Sequence, residues 1–170
     1  MATNTKKPAK VSYQPISDIP DNIDPYMLIP VRSGFHGLLT YVNPRTKEET
    51  YWSSFGDIQY LELADLRSIK STCKRFYERN YFLFDDEFSW VIKYLGVERF
   101  YDHSLSAEGY EELFTKTPAE IKSTLSTISN GQRQSIIIGA REKIASGEID
   151  SYKIIKALEE GLGVKLAEED

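Results

Sequence analysis

The apolar positions of this chain change their spacing at residue 64. From residue 26 to 63 they fall in short runs rich in β-branched and aromatic residues: 27–31, 34–42, 49–52 and the alternating 58–63. Runs of this kind, bounded by turn residues, read as strands. Asn43, Pro44, Arg45, Thr46, Lys47 and Glu48 form a turn-rich connection, so 34–42 and 49–52 predict a β-hairpin with a loop of five or six residues. Gly56 and Asp57 punctuate the chain, and 58–63 follows as a third strand. A three-stranded unit with one apolar face needs a covering layer.

From residue 64 the period becomes helical. Leu63, Leu66, Ile69, Cys73, Phe76 and Tyr77 predict one amphipathic helix over 66–79. A second fits 86–95, with Phe88, Val91, Ile92 and Leu95 on one side and Gly96 just past its end. Residues 104–163 form a helical section. Thr117-Pro-Ala-Glu120 is a capping box with proline at the first helical position, and the helix it opens presents Ile121, Leu125 and Ile128. Asn130 caps the next helix, which carries Ile136, Ile137, Ala140, Ile144 and Ala145 and ends at Gly147. Asp150 caps a last helix with Ile154, Ile155 and Leu158, stopping near Gly161 or Gly163. Connections of two to four residues predict consecutive helical hairpins. The fold class is therefore α+β: a small antiparallel β unit of about three strands packed by two helices, followed by a C-terminal helical section. The organisation predicted is an N-terminal arm at 1–25, an α+β core unit at 26–103, the helical section at 104–166 and an acidic tail at 167–170.

The arm carries Lys6, Lys7 and Lys10, then Asp18, Asp21 and Asp24, with Pro8, Pro15, Pro20 and Pro25 to break any helix. It is expected to be extended and to make few contacts within its own subunit. It reads either as a solvated tail or as a strap across a neighbouring subunit, anchored by Tyr13, Ile16, Ile19 and Ile23.

Composition narrows the chemistry. The 170 residues carry a net charge of −5 with 41% hydrophobic and 28% charged residues, within the globular range. The single cysteine, Cys73, rules out an internal disulfide and a cysteine-based zinc or iron–sulfur site. The first residues lack the apolar segment of a secretory signal, and no apolar run is long enough for a membrane span. No phosphate-binding glycine loop, nucleophile elbow or His-Glu-x-x-His pattern occurs. Ser33 near His36 invites a nucleophile reading, but two glycines flanking an aromatic in a β segment mark a bend or bulge. Asp85, Asp86 and Glu87 fit the first turn of a helix better than a cation site, and His103 reads as a polar loop residue. No catalytic, metal or cofactor residue is assigned.

The helix at 66–79 is the strongest candidate surface. Arg67, Lys70, Lys74, Arg75 and Arg79 face a single acid, Glu78. Such a face can lie along phosphates or meet an acidic face of a neighbouring subunit, with the acids at 85–87 and 159–170 as candidates in a ring of identical copies. The candidate interface is Arg67, Lys70, Lys74, Arg75 and Arg79, together with Tyr13, Ile16 and Ile19 of the arm. Of the eleven tyrosines, eight phenylalanines and two tryptophans many must lie in the core, and tyrosine and tryptophan suit interfaces as well.

One further pattern bears on function. Val31-x-Ser33-Gly34-Phe35-x-Gly37-x-Leu39-x-Tyr41 is followed by Arg45-Thr46-x-Glu48, Trp52-x-x-Phe55-Gly56-Asp57 and Leu63-x-x-Leu66-Arg67. Tyr94-Leu-Gly-Val97, Gly131-Gln-Arg, Gly147-Glu-Ile-Asp-Ser151, Ile155-Lys-Ala-Leu158 and Leu162-Gly-Val164 come later. Together these resemble a family of small proteins encoded by tailed bacteriophages of Gram-positive hosts, over roughly 28–166. The resemblance implies a virion or virion-assembly protein and carries no catalytic residues. The expected function is a non-enzymatic phage structural or assembly protein of the head, head–tail connector or tail. It would work through contacts with other virion proteins or copies of itself, in the virion or in the host cytoplasm during assembly. No membrane and no small-molecule substrate is expected. The alternatives are a phage accessory protein that binds nucleic acid through the basic helix, and an inhibitor of a host protein.

Overall fold

The computed structural model describes residues 16–167, which run through five strands and seven α-helices. Strand β1 (Leu28–Ser33) is the centre of a three-stranded antiparallel sheet, flanked by β4 (Ile58–Glu62) and β5 (Phe82–Leu83). Strands β2 (Leu39–Val42) and β3 (Glu49–Trp52) form the expected hairpin, Leu39 opposite Trp52 and Val42 opposite Glu49. The α+β architecture stands, but the β unit is two sheets rather than one.

Local hydrogen bonds account for the difference. The strand expected over 34–42 is shortened because Ser33 N–H donates to Asp57 C=O and Gly34 N–H to Tyr81 C=O, each at 2.8 Å, which turns 34–38 away as a bend. The strand at 58–62 pairs with β1, Leu28 opposite Glu62 and Arg32 opposite Ile58, not with the hairpin. Here Asp57 accepts from the N–H groups of Ser53 and Ser54 at 2.8 and 3.1 Å and reverses the chain after β3.

The helices are α1 (Leu63–Thr72), α2 (Arg75–Glu78), α3 (Trp90–Tyr94), α4 (Ala107–Leu113), α5 (Pro118–Thr127), α6 (Asn130–Ala145) and α7 (Tyr152–Leu162). The single helix expected over 66–79 is broken at Cys73, whose φ of −143° and ψ of 50° are not helical. The break lets Tyr77 fold back. Its buried hydroxyl donates to Leu66 C=O at 2.6 Å. Eleven residues of unbroken helix would set these two about 16 Å apart along the axis, beyond the reach of a tyrosine. The helix expected over 86–95 is a 3₁₀ turn at Asp86–Phe88 followed by α3, because the buried Ser89 spends its hydroxyl on Asp86 C=O at 2.8 Å. Gly96 ends it with a φ of 66°, as expected.

Apolar residues form two clusters. The first gathers Ile29, Val31, Trp52, Leu63, Leu66, Ile69, Phe82 and Ile92 among others, and its last member is Tyr101. The second begins at Leu105 and is built from α4 to α7. In the first, large aromatics give their polar tips to carbonyls: Trp52 Nε1–H to Val31 at 2.9 Å and Tyr101 O–H to Phe82 at 2.7 Å. Burial is thereby reconciled with hydrogen bonding.

The capping box at Thr117 and Glu120 is present. The other two caps shift by one residue. Ser129, not Asn130, caps α6, accepting from Gln132 N–H while donating to Asn80 Oδ1 at 2.7 Å. Ser151, not Asp150, precedes α7, because Ile149 is buried and its N–H is held by Lys143 C=O, which uses 148–150 as the turn. The helices are not consecutive hairpins. Helix α5 packs most extensively on α7, and both end at Arg133, which donates to Leu125 C=O at 3.2 Å and to Gly161 C=O at 3.1 Å. A cation there meets the negative ends of two helices.

Helix α6 cannot pair with its neighbours along its whole surface because one row faces the β unit. That row is Gly131, Ser135 and Gly139, spaced four apart. A Cβ on Gly131 would lie 2.6 Å from Glu78 C=O and 2.7 Å from Arg79 Cα. Ser135 O–H donates to Gly34 C=O at 2.8 Å. A Cβ on Gly139 would run into the Tyr110 hydroxyl and His36. Beside this row the buried Gln132 accepts from Leu105 N–H at 2.6 Å and donates to Leu105 C=O at 2.7 Å, fixing the segment between the two clusters.

Among the described residues, Thr124 Oγ1 is buried without a hydrogen-bond partner. Thr124→Val keeps the shape and removes the orphaned hydroxyl, while the helix propensities are nearly equal. It is expected to stabilise the fold by about 1 kcal/mol, read as a higher denaturation midpoint at unchanged slope. No helix among the described residues is long and apolar enough to cross a membrane.

Candidate functional site

Arg67, Lys70, Lys74, Arg75 and Arg79 are all exposed, while Leu66, Ile69 and Phe76 point into the core and Cys73 is half-buried. Since the helix breaks at Cys73, these cations do not share one straight face. Arg67 and Lys70 leave α1 beside Tyr94 and Leu95, lining a shallow groove with Ser71. Lys74 lies in the break, 3.3 Å from Glu78, and joins Arg99 over the Phe100 ring at 5.6 and 4.7 Å. Arg75 is in α2, and Arg79 caps its end. No described residue forms an ion pair with Arg67, Lys70, Arg75 or Arg79.

The N-terminal segment from 16 to 24 has no helix or strand and is exposed except at Ile23, which packs on the first cluster. Ile16 and Ile19 are exposed, and Tyr13 lies outside the described residues. Among the described residues, contacts with Ser89 and Lys93 tie this segment to the elements behind it. Ser17 N–H donates to Ser89 Oγ at 2.9 Å, the two serine hydroxyls meet at 3.0 Å, and Asp18 lies 3.6 Å from Lys93.

Acidic groups gather at a separate cleft. An open cleft of about 820 Å³ is lined by Asp85, Asp86, Glu87, Glu108 and Glu111 together with Phe55, Leu83 and Phe84. Arg32 holds its mouth through a two-pronged pair with Asp85 at 2.9 and 3.0 Å and a bond to Gly56 C=O at 2.9 Å. The hydrogen bond that Arg32 donates to Asp85 raises the Arg32 pKa further. The other acidic candidate, 159–170, is partly spent inside the chain. Glu159 accepts from Leu166 N–H at 2.9 Å, and Glu160 pairs with Lys122, whose hydrogen bond lowers the Glu160 pKa.

The sheet holds a surface that the sequence reading missed. Along β1 and β4 one face is sealed, with Ile29 and Val31 fully buried. The other carries Leu28, Pro30 and Arg32 against Glu62, Tyr60 and Ile58. There Leu28 is 58% exposed and Tyr60 63%, and Tyr26 just before β1 is 72% exposed. The row leads to Arg32 and so to the acidic cleft. A signal was present: 28–31 is apolar at both parities, the mark of a strand covered on both faces.

Ser33 is buried and exchanges hydrogen bonds with the Phe35 backbone, at 3.2 Å to its N–H and 3.3 Å to its C=O, as the bend reading requires. His103 is exposed, and its carbonyl accepts from Ser129 N–H. His36, by contrast, is half-buried against Phe55 and Tyr110, whose own rings stack 4.2 Å apart. Among the described residues no group of three or more His, Cys, Asp or Glu is placed to hold a metal ion. Comparison with protein-family models, curated proteins and solved structures finds no match to the chain.

Proposed function

We propose that this chain is a non-enzymatic structural or assembly protein of a tailed phage, working through protein–protein contacts with copies of itself. The observation that carries this reading is the sheet's uncovered face, where Leu28, Tyr60 and Tyr26 stand out beside fully buried Ile29 and Val31. An exposed apolar row of this kind marks a surface that gains by being covered. Two charged surfaces support the choice of a second copy as partner. The cations of α1, α2 and Arg99 and the carboxylates of the cleft are opposite in sign, so one copy's basic surface complements the next copy's cleft.

Sedimentation over a range of concentrations tests the reading. The chain is expected to self-associate. Leu28→Glu with Tyr60→Glu should lower the associated mass while leaving the circular dichroism spectrum unchanged. Reversing Arg67, Lys70 and Lys74 to glutamate should weaken association most at low salt, where charge pairing is least screened. A wild-type chain that stays monomeric throughout, or variants that associate as it does, would defeat the reading. A steep salt dependence of binding to duplex DNA, lost in the charge-reversed variant, would instead favour the nucleic-acid alternative.

A further inference from the structure

His36 sits in the bend between β1 and β2 with 11% of its side chain exposed. Its ring stacks on Phe55 with centroids 4.8 Å apart and tilts against Tyr110 at 5.3 Å. Nε2 meets the Tyr110 hydroxyl, and Nδ1 lies 3.4 Å from Glu142 Oε2. The charged groups around it come from two helices and a turn. Helix α4 supplies Glu111, α6 supplies Glu142 and Lys143, and Glu148 follows α6, paired to Lys143 at 2.7 Å. Lys143 is also 3.3 Å from Glu111.

The Tyr110 hydroxyl has one proton and two acceptors. Burial, above all, pushes its pKa far up, so the phenol stays protonated. It can donate to Ser135 C=O, 3.0 Å away, or to a neutral His36 Nε2. With His36 neutral, Tyr110 O–H serves Nε2 and Nδ1–H serves Glu142. With His36 protonated, Nε2–H serves the Tyr110 oxygen, whose proton turns to Ser135 C=O. Both His36 ring nitrogens and the Tyr110 hydroxyl have a partner in either state. The difference is a net positive charge placed among two rings and beside Lys143.

We propose that His36 is a proton-responsive latch between the β unit and the helical section, and that taking up a proton loosens the seat of α6 on the β1–β2 bend. The geometry makes this a joint property, since His36 belongs to the bend, Tyr110 to α4, and Gly139 and Glu142 to α6. Burial lowers the His36 pKa below its ordinary 6.5, outweighing the attraction of Glu142 and Glu111, and Lys143 adds to the lowering. A histidine depressed in the folded state binds fewer protons there than in the unfolded chain. The stability it contributes is complete above 6.5, declines as pH falls below 6.5, and is gone below the folded-state pKa.

The test uses the full chain and is independent of the assembly reading. The imidazole of His36 is titrated by nuclear magnetic resonance, and melting temperature and amide exchange of α6 are followed from about pH 8 to about pH 5. The expected His36 midpoint lies below 6.5. The wild type should lose melting temperature, and Ser135 to Gly139 should lose exchange protection, as pH falls. His36→Gln should abolish that His36-dependent loss. Glu142→Gln keeps the histidine, removes its attracting carboxylate and should move the midpoint lower still. A midpoint at or above 6.5, or a pH profile unchanged in His36→Gln, overturns the latch. Should His36→Gln not fold, an unmoved midpoint in Glu142→Gln overturns it equally.

Discussion

Gly131→Ala is expected to destabilise the fold by about 3 kcal/mol, although it replaces glycine with the best helix former. In an exposed helix the same change would stabilise by about 1 kcal/mol. Here the added Cβ would lie 2.6 Å from Glu78 C=O, 2.7 Å from Arg79 Cα and 2.8 Å from Arg79 carbonyl carbon. All three are backbone atoms at the end of α2, so no side-chain rotation relieves the overlap. The start of α6 must withdraw, and with it the Ser129–Asn80 bond of 2.7 Å and the Ser135–Gly34 bond of 2.8 Å. The melting temperature should fall by about 6–12 °C for a chain of this size. A Gly131→Ala chain as stable as wild type would show that α6 does not dock this closely on α2.

Trp52→Ala should cost about 4 kcal/mol, in the range for an emptied aromatic site in a core. Trp52 is fully buried at the end of β3, with its ring 5.4 Å from that of Phe82. Its indole N–H reaches across to Val31 C=O at 2.9 Å, which ties the hairpin to the central strand of the other sheet. The substitution removes the ring, leaves a cavity and deprives a buried carbonyl of its donor. Trp52→Phe separates these effects. It keeps much of the packing and loses the hydrogen bond, so its cost should be about 1–2 kcal/mol. Denaturant titration of both variants checks the order. Equal losses would mean that the hydrogen bond carries the whole effect.

Both effects lie where two elements meet, and there the sequence was least legible. The row at 131, 135 and 139 looks like three helix-tolerated small residues, and nothing near it in sequence names its partner. That partner is the backbone of 34 and of 78–79, along with His36. The basic residues were legible as exposed cations. Their arrangement was not, because the break at Cys73 follows from Tyr77 reaching Leu66. The outer sheet face was half legible. The double-parity apolar run at 28–31 stood in the sequence, but which parity faced inward waited on the register with β4.

By itself the sequence determined the features that rest on neighbours in the chain. The loop of the β2–β3 hairpin, the capping box at Thr117 and Glu120, and the glycine end at Gly96 each follow from one residue's preference for a local backbone shape. The mixed α+β class follows equally from the change in apolar period. Tertiary structure alone decided the rest: that β4 pairs with β1, that α5 packs on α7, that α6 turns its small residues toward the β unit, and that His36 is enclosed while His103 is exposed. The reason is physical. A local motif needs only its own backbone geometry, whereas strand partner, helix neighbour and the burial of one histidine depend on which surfaces fit once all the others are placed.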